Sequence, residues 1–145
     1  MALRDDLKED EGLRLVPYKC SRGFWTVGYG YKFDDPVAIM LMENCAAPTI
    51  TEKQAEELLD IKLREAEAGF RQIFHSVEMS QVRQDALTNM IYNLGVGGFK
   101  GFRKMISAVC LGDWERAAAE ARDSQWFSQV GARAGRICDV LWKGL

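Results

Sequence analysis

Apolar residues recur along this chain with two different spacings, which predict where helices and strands lie. Two leucines one turn apart predict a short helix over residues 2–11, and Gly12 stands where a helix usually ends. Apolar and polar residues then alternate over residues 13–33 around the turn sequence CSRG, which predicts a β-hairpin. Pro17 cannot donate to a strand ladder, so the first strand is expected at a sheet edge or bulge. Residues 34–50 are expected to be irregular.

Helical spacing dominates the rest of the chain. The sequence TEKQ at 51–54 has the form of a capping box, and apolar positions three and four apart continue to about residue 74. Such a helix would be roughly 35 Å long, enough to join two lobes. The next helix is expected to stop at Gly95. Shorter helices are predicted at about 102–111, 113–122 and 132–142, with the segment SQWFSQVG as an interruption before the last one.

The order of these elements predicts an α+β architecture. At 145 residues and 48% hydrophobic composition, the chain has the size of one domain and can bury a core without metals or disulfides. We therefore expect a single domain over residues 1–145, with a β lobe at about 12–50. The remaining residues, about 51–145 and the amino-terminal helix, are expected to form a helical lobe.

Composition and charge exclude several classes of protein. No apolar stretch is long enough to cross a bilayer and the amino terminus is charged, so we expect a soluble protein made in the cytoplasm. A net charge of −2 gives no basic surface for nucleic acid. The four cysteines are widely separated and there is one histidine, so zinc-ligand spacing is absent. The cysteines are expected to be free thiols, with all but Cys20 packed in the interior.

One carboxylate and one hydroxyl stand out as candidate chemical groups. Glu11 is expected at a helix carboxy terminus, where the helix dipole disfavours the ionised form and suits a general acid. The alternative is that Glu11 is one more solvated charge. Strand alternation places Thr26 on the same face as Gly28 and Gly30. Because glycine has no side chain, that face is bare at two positions. The glycines indicate close approach by a ligand or another backbone, or else a bulge or tight packing.

Three kinds of hydrolase can be compared on these residues. A cysteine hydrolase would pair Cys20 with an imidazole, but His75 lies in a different segment of the chain. A metal hydrolase lacks ligands. An inverting glycosidase needs an acid for the leaving oxygen and a second group that holds water across the sugar ring. Glu11, Cys20 and Thr26 have the residue types for that reaction.

The segment EGLRLVPYKCSRGFWTVGYGY at 11–31 closely resembles the phage-type lysozymes, or endolysins, of glycoside hydrolase family 24. In that family a glutamate is followed nine positions later by an aspartate or cysteine, and that residue is followed six positions later by a threonine. The resemblance continues through segments at 86–102, 112–127 and 133–142. It implies a small sheet lobe and a helical lobe joined by a long helix, with peptidoglycan bound in the groove between the lobes.

The resemblance also implies roles for individual residues. Glu11 would be the general acid, while Cys20 and Thr26 would hold the attacking water. Many members have aspartate in place of Cys20 and histidine in place of Tyr31. Arg133 stands where the family often has an arginine that pairs with the catalytic glutamate. The full set of implied substrate-binding residues is Gly28, Gly30, Tyr31, Tyr92, Asn93 and Arg133.

The function implied by the resemblance is a monomeric peptidoglycan muramidase without metal or cofactor. It would cleave the β-1,4 bond between N-acetylmuramic acid and N-acetylglucosamine in glycan strands, as a phage or prophage endolysin. The enzyme would be made in the host cytoplasm and, without a membrane anchor, would reach the periplasmic wall through a holin-like permeabilising partner. The alternatives are a lytic transglycosylase acting on the same bond and a non-catalytic wall-binding or virion structural protein.

Overall fold

The computed structural model describes residues 2–20, 23–34 and 49–145. The expected irregular stretch at 34–50 therefore lies almost wholly outside the described residues. The chain divides into two compact units, Met1–Arg64 and Glu65–Leu145. Helices and one small antiparallel sheet make up the described elements, so the predicted α+β class is confirmed.

The first unit begins with a helix and a three-stranded antiparallel sheet. The elements are α1 (Ala2–Glu11), β1 (Arg14–Lys19), β2 (Trp25–Gly28) and β3 (Tyr31–Lys32). Their order in the sheet is β1-β2-β3, so β1 is an edge strand. The pairing of β1 with β2 is irregular between Arg14 and Tyr18, which confirms the expected position of Pro17 at an edge and a bulge.

A long helix, α2 (Glu52–Phe74), follows in the chain. It begins with the predicted capping box: the Thr51 amide donates to Oε1 of Gln54 at 2.9 Å, and the Gln54 amide donates to Oγ1 of Thr51 at 3.1 Å. The capping box confirms the predicted start of the helix, and its last residue, Phe74, confirms the predicted end. Its 23 residues run across residue 64, where the chain divides between the two units.

The second unit contains the remaining helices. They are α3 (Gln81–Lys100), α4 (Arg103–Cys110), α5 (Trp114–Arg122), α6 (Gln125–Val130) and α7 (Ala132–Lys143). Fully buried side chains from several of them supply the core, including Leu87, Met90, Phe99, Met105, Val109 and Leu141. No helix among the described residues is long and apolar enough to cross a membrane.

Two sequence predictions in this unit need correction. Gly95 does break the helical geometry, with φ of 78° and ψ of 158°, but helix resumes beyond it and α3 continues to Lys100. The segment SQWFSQVG is not an interruption, because it forms α6. The hydroxyl of Ser124 caps this helix by accepting from the amide of Phe127, and Trp126 is buried. Six residues are too few for a helical spacing to be visible in the sequence.

Candidate functional site

Glu11 lies where the sequence predicted it, at the last position of α1. The Gly12 amide donates to the carbonyl of Lys8 at 3.0 Å, and a φ of +70° at Gly12 turns the chain out of the helix. The side chain of Glu11 is half-buried. The carboxylate of Glu11 thus lies at the carboxy-terminal end of a short helix, just before the sheet in the chain.

The carboxylate of Glu11 rests directly against the backbone of Gly30. A Cβ atom built on Gly30 would lie 2.7 Å from Cδ of Glu11 and closer still to Oε2, so only glycine leaves room for this arrangement. Gly30 also has φ of +70°, a conformation that residues with side chains rarely adopt. The sequence predicted close approach by a ligand or another backbone, or else a bulge or tight packing, whereas the group that approaches Gly30 is the side chain of Glu11.

Tyr18 joins the groups on this part of the sheet, although sequence analysis did not single it out. It lies directly opposite Thr26 in the β1–β2 pairing. Burial raises the pKa of the Tyr18 phenol, the Arg14 guanidinium over its ring opposes this rise, and Glu11 and Cys20 add to it when they are ionised. The phenol is therefore within electrostatic reach of both Glu11 and Cys20. Strand alternation, which puts Tyr18 and Cys20 on one face, was the signal that could have revealed it.

The hydroxyl of Thr26 has its only proton committed. Its Oγ1 donates to the carbonyl oxygen of Phe24 at 3.0 Å, and the side chain is 2% exposed. The lone pairs of the oxygen therefore remain as acceptors. A water molecule bound to Thr26 would donate a hydrogen bond to Oγ1. The lone pairs of that water would then point away from Thr26.

Cys20 lies at the end of β1, where its backbone closes the hairpin. Its amide donates to the carbonyl of Phe24 at 2.9 Å, and its own carbonyl accepts from the Gly23 amide at 2.8 Å. The sulfur is not in a disulfide, and the residue is half-buried. The expectation that the other cysteines are packed inside is right for Cys138 and wrong for Cys110, which is exposed. Burial raises the pKa of Cys138 to about 11, whereas Cys45 lies outside the described residues.

Gly28 and Tyr31 are the two remaining predicted residues of this unit, and each has neighbours in the first unit. Gly28 ends β2 with φ of +67°, and a Cβ atom there would lie 3.4 Å from Cβ of Ala55 in α2. Strict alternation therefore stops at Val27, which corrects the assignment of both glycines to a continuous strand face. Tyr31 is half-buried in β3, where it pairs with Val27. Roles for Gly28 and Tyr31 toward a substrate stay predictions.

The predicted residues of the second unit are buried or are hydrogen-bonded to side chains of other helices in that unit. Tyr92 in α3 is 1% exposed, so its side chain offers no free surface in this structure. The next residue, Asn93, accepts a hydrogen bond from Nε1 of Trp126 at 2.8 Å. The buried Arg133 in α7 donates from Nε to Oδ1 of Asn89 at 2.8 Å. Roles for these residues in substrate binding, or for Arg133 toward Glu11, stay predictions.

Comparison with known proteins gives a consistent group of relatives. A family model described as phage lysozyme matches residues 8–141. The endolysin of Salmonella phage P22 is 35% identical over 137 residues, which covers 93% of this chain and 84% of the endolysin. The probable T4-type lysozyme 2 of Dictyostelium discoideum is 27% identical, with 99% and 95% covered. The pre-baseplate central spike protein Gp5 of Enterobacteria phage T4 is 31% identical over 99% of this chain, but the chain spans only 28% of that relative's length.

Proposed function

This chain belongs to the phage lysozyme family of glycoside hydrolases, and we propose that it is a muramidase that cleaves the β-1,4 bond between N-acetylmuramic acid and N-acetylglucosamine in peptidoglycan. The observation that carries the proposal is the carboxylate of Glu11 seated on Gly30. An acid side chain held against a backbone that cannot accommodate a Cβ atom has a restricted set of positions, which is what proton transfer to a glycosidic oxygen requires.

The proposed reaction inverts the configuration at the anomeric carbon. Glu11 donates its proton to the leaving glycosidic oxygen as the bond from that oxygen to the anomeric carbon breaks. A water molecule held by Thr26 and Cys20 forms the new bond from the opposite face of the sugar. The proton released by the water returns through solvent to Glu11. Thr26 supports this role because its oxygen is left as an acceptor.

A role in host lysis is the second part of the proposal. It is supported by the relative named endolysin in Salmonella phage P22, whose length the chain largely covers. We propose that the protein acts as a monomer on the periplasmic wall after synthesis in the host cytoplasm, once a holin-like partner has permeabilised the membrane. The relative Gp5, named as a pre-baseplate central spike protein, favours a second candidate, a wall-degrading component of a virion.

Product analysis tests the reaction. The protein should clear a suspension of outer-membrane-permeabilised Gram-negative cells, and mass spectrometry of digested peptidoglycan should show free reducing muramic acid ends. Water as the nucleophile requires this product, since a transglycosylase would use the muramyl hydroxyl instead. A digest with only anhydro-muramic ends would assign the chain to the transglycosylases, and an intact wall would leave a binding or structural protein.

The thiol of Cys20 gives a second prediction. The thiol of Cys20 is expected to position the water through a weak hydrogen bond, since its sulfur is a weak acceptor and its S–H a weak donor. Cys20→Asp should therefore remain active, as a carboxylate also accepts from water, and Cys20→Ala should lose about tenfold or more in lysis rate. An alkylating reagent should inhibit the wild type, because the adduct would occupy the position of the water.

The control for this prediction is the same alkylation applied to Cys20→Asp, which should be resistant. Cys110 is exposed and will react, but Cys110→Ser should be inhibited like the wild type. Burial keeps Cys138 protonated up to a pKa of about 11, so it should not react near neutral pH. Equal inhibition of wild type and Cys20→Asp would mean that the sensitive thiol lies elsewhere.

A further inference from the structure

Lys62 makes a contact that the proposed reaction has not used. This lysine lies on α2, is half-buried, and donates from Nζ to the carbonyl oxygen of Gly30 at 2.7 Å. The acceptor belongs to the same glycine that lies against the carboxylate of Glu11. An ammonium group bonded to a neutral carbonyl forms a charge-assisted hydrogen bond, which is stronger than a bond between neutral groups.

The face of α2 that carries Lys62 contacts both glycines of this part of the sheet. Ala55 and Lys62 are seven residues apart, so they lie on one face of the helix, with the buried Leu59 between them. Ala55 packs behind Gly28, and Lys62 bonds to Gly30. The helix thus fixes the end of β2 by packing and the following turn by a hydrogen bond.

The same helix also holds α1, which carries the acid. Arg4 of α1 donates from Nε to Oδ1 of Asp60 at 3.0 Å, and Lys8, one turn further along α1, pairs with Glu56. The Lys8 ammonium lowers the pKa of Glu56, so this pair is ionised at neutral pH. Through these pairs, α2 positions the helix that ends at Glu11.

We propose that Lys62 is a positioning residue for the general acid: by holding the Gly30 carbonyl, it fixes the glycine against whose Cα the carboxylate of Glu11 rests. The inference rests on the proposed function, because only a muramidase uses Glu11 as an acid. Lys62 acts through Gly30 and needs no contact with substrate. Loss of the bond would let the peptide of Gly30 move, and the carboxylate of Glu11 would lose its fixed position.

Steady-state kinetics on soluble glycan strands test this role with three variants of the full chain. Lys62→Met keeps the apolar stem and helix propensity but removes the donor, and kcat should fall about tenfold with KM within about twofold of wild type, because an interaction made through the acid acts in the transition state. Lys62→Arg keeps a cationic donor and should restore kcat to within about threefold. Lys53→Met, at an exposed position on the first turn of the same helix, should change neither parameter.

A spectroscopic readout tests the positioning without relying on activity. The carbonyl of Gly30 shares its peptide group with the amide nitrogen of Tyr31, so loss of the Lys62 bond should shift the nitrogen resonance of Tyr31. If Lys62 positions the acid, the side-chain carboxyl carbon resonance of Glu11 should shift in the same variant, and both should return in Lys62→Arg.

The outcomes separate this inference from the proposed function. An unchanged kcat in Lys62→Met, a rise in KM alone, or a shift at Tyr31 without one at Glu11 would overturn the positioning role. A wild-type protein that fails to hydrolyse peptidoglycan would instead refute the muramidase proposal, while the resonances still report whether Lys62 orders Glu11. If Lys62→Met does not fold, Lys62→Gln takes its place, since glutamine is polar but too short to restore the same bond.

Discussion

Glu11→Gln is expected to abolish hydrolysis of the cell wall while the protein remains folded. The amide has nearly the same shape as the carboxyl group, so it can occupy the position against Gly30. It has no proton of suitable acidity to give to a glycosidic oxygen. General acid catalysis contributes about 10² to 10⁴ in rate, so the remaining activity should be at least about a hundredfold below the wild type.

The measurement is the rate of clearing of permeabilised cells, together with the melting temperature of each variant. Glu9→Gln is the matched control, since Glu9 is exposed on the same helix and two residues away. The control should lyse cells at the wild-type rate. A folded Glu11→Gln protein with near-native activity would remove Glu11 from the role of acid.

Much of the fold can be predicted from the sequence because local signals and tertiary packing agree. The helix over residues 2–11 and the capping box that begins α2 are both determined by residues close together in the chain. The short helix α6 could not be predicted in this way. Trp126 is the single buried residue of this helix, so no repeat of apolar positions can be recognised in the sequence. The Ser and Gly residues at its ends are typical of loops.

The candidate site also contains features that can be recognised in the sequence and features that cannot. The spacing of Glu11, Cys20 and Thr26 could be recognised in the sequence because all three lie within one short segment. The contact of Glu11 with Gly30 could not be predicted, since the chain between them must fold before they meet; the glycine indicated only close approach by a ligand or another backbone. Lys62 gave no signal, because a lysine on a helix is usually solvated and its partner is a backbone carbonyl 32 residues earlier.

Gly30→Ala is expected to have the second large effect, and it separates backbone strain from contact with the acid. The new methyl group would overlap the carboxyl group of Glu11, and the residue would have to keep φ of +70°. The backbone conformation costs about 1 to 2 kcal/mol for a residue with a side chain. The overlapping atoms are the far end of a flexible side chain, so the carboxyl group can move aside at little further cost in stability. Moving the acid by about 1 Å costs about a hundredfold in rate.

Gly12→Ala is the matched control for the backbone term. Gly12 has the same φ of +70°, but apart from its two chain neighbours a Cβ atom there would meet nothing within 4 Å among the described residues. Gly12→Ala should therefore lower the free energy of unfolding by only about 1 to 2 kcal/mol, with a small change in lysis rate. If both alanine variants lost the same stability and the same activity, the contact between Gly30 and Glu11 would have no consequence for the enzyme.

A double-mutant cycle measures the contact itself. In a chain that already carries Glu11→Ala, the carboxyl group is gone, so Gly30→Ala should cost no more stability than Gly12→Ala does in the wild type. Urea unfolding of the wild type, the two single variants and the double variant gives the coupling free energy, which we expect to lie near the lower end of the about 0.5 to 3 kcal/mol found for residues in contact, because the carboxyl group can move aside. A coupling near zero would mean that the loop moves aside without disturbing Glu11, and the acid would then owe its position to α1 alone.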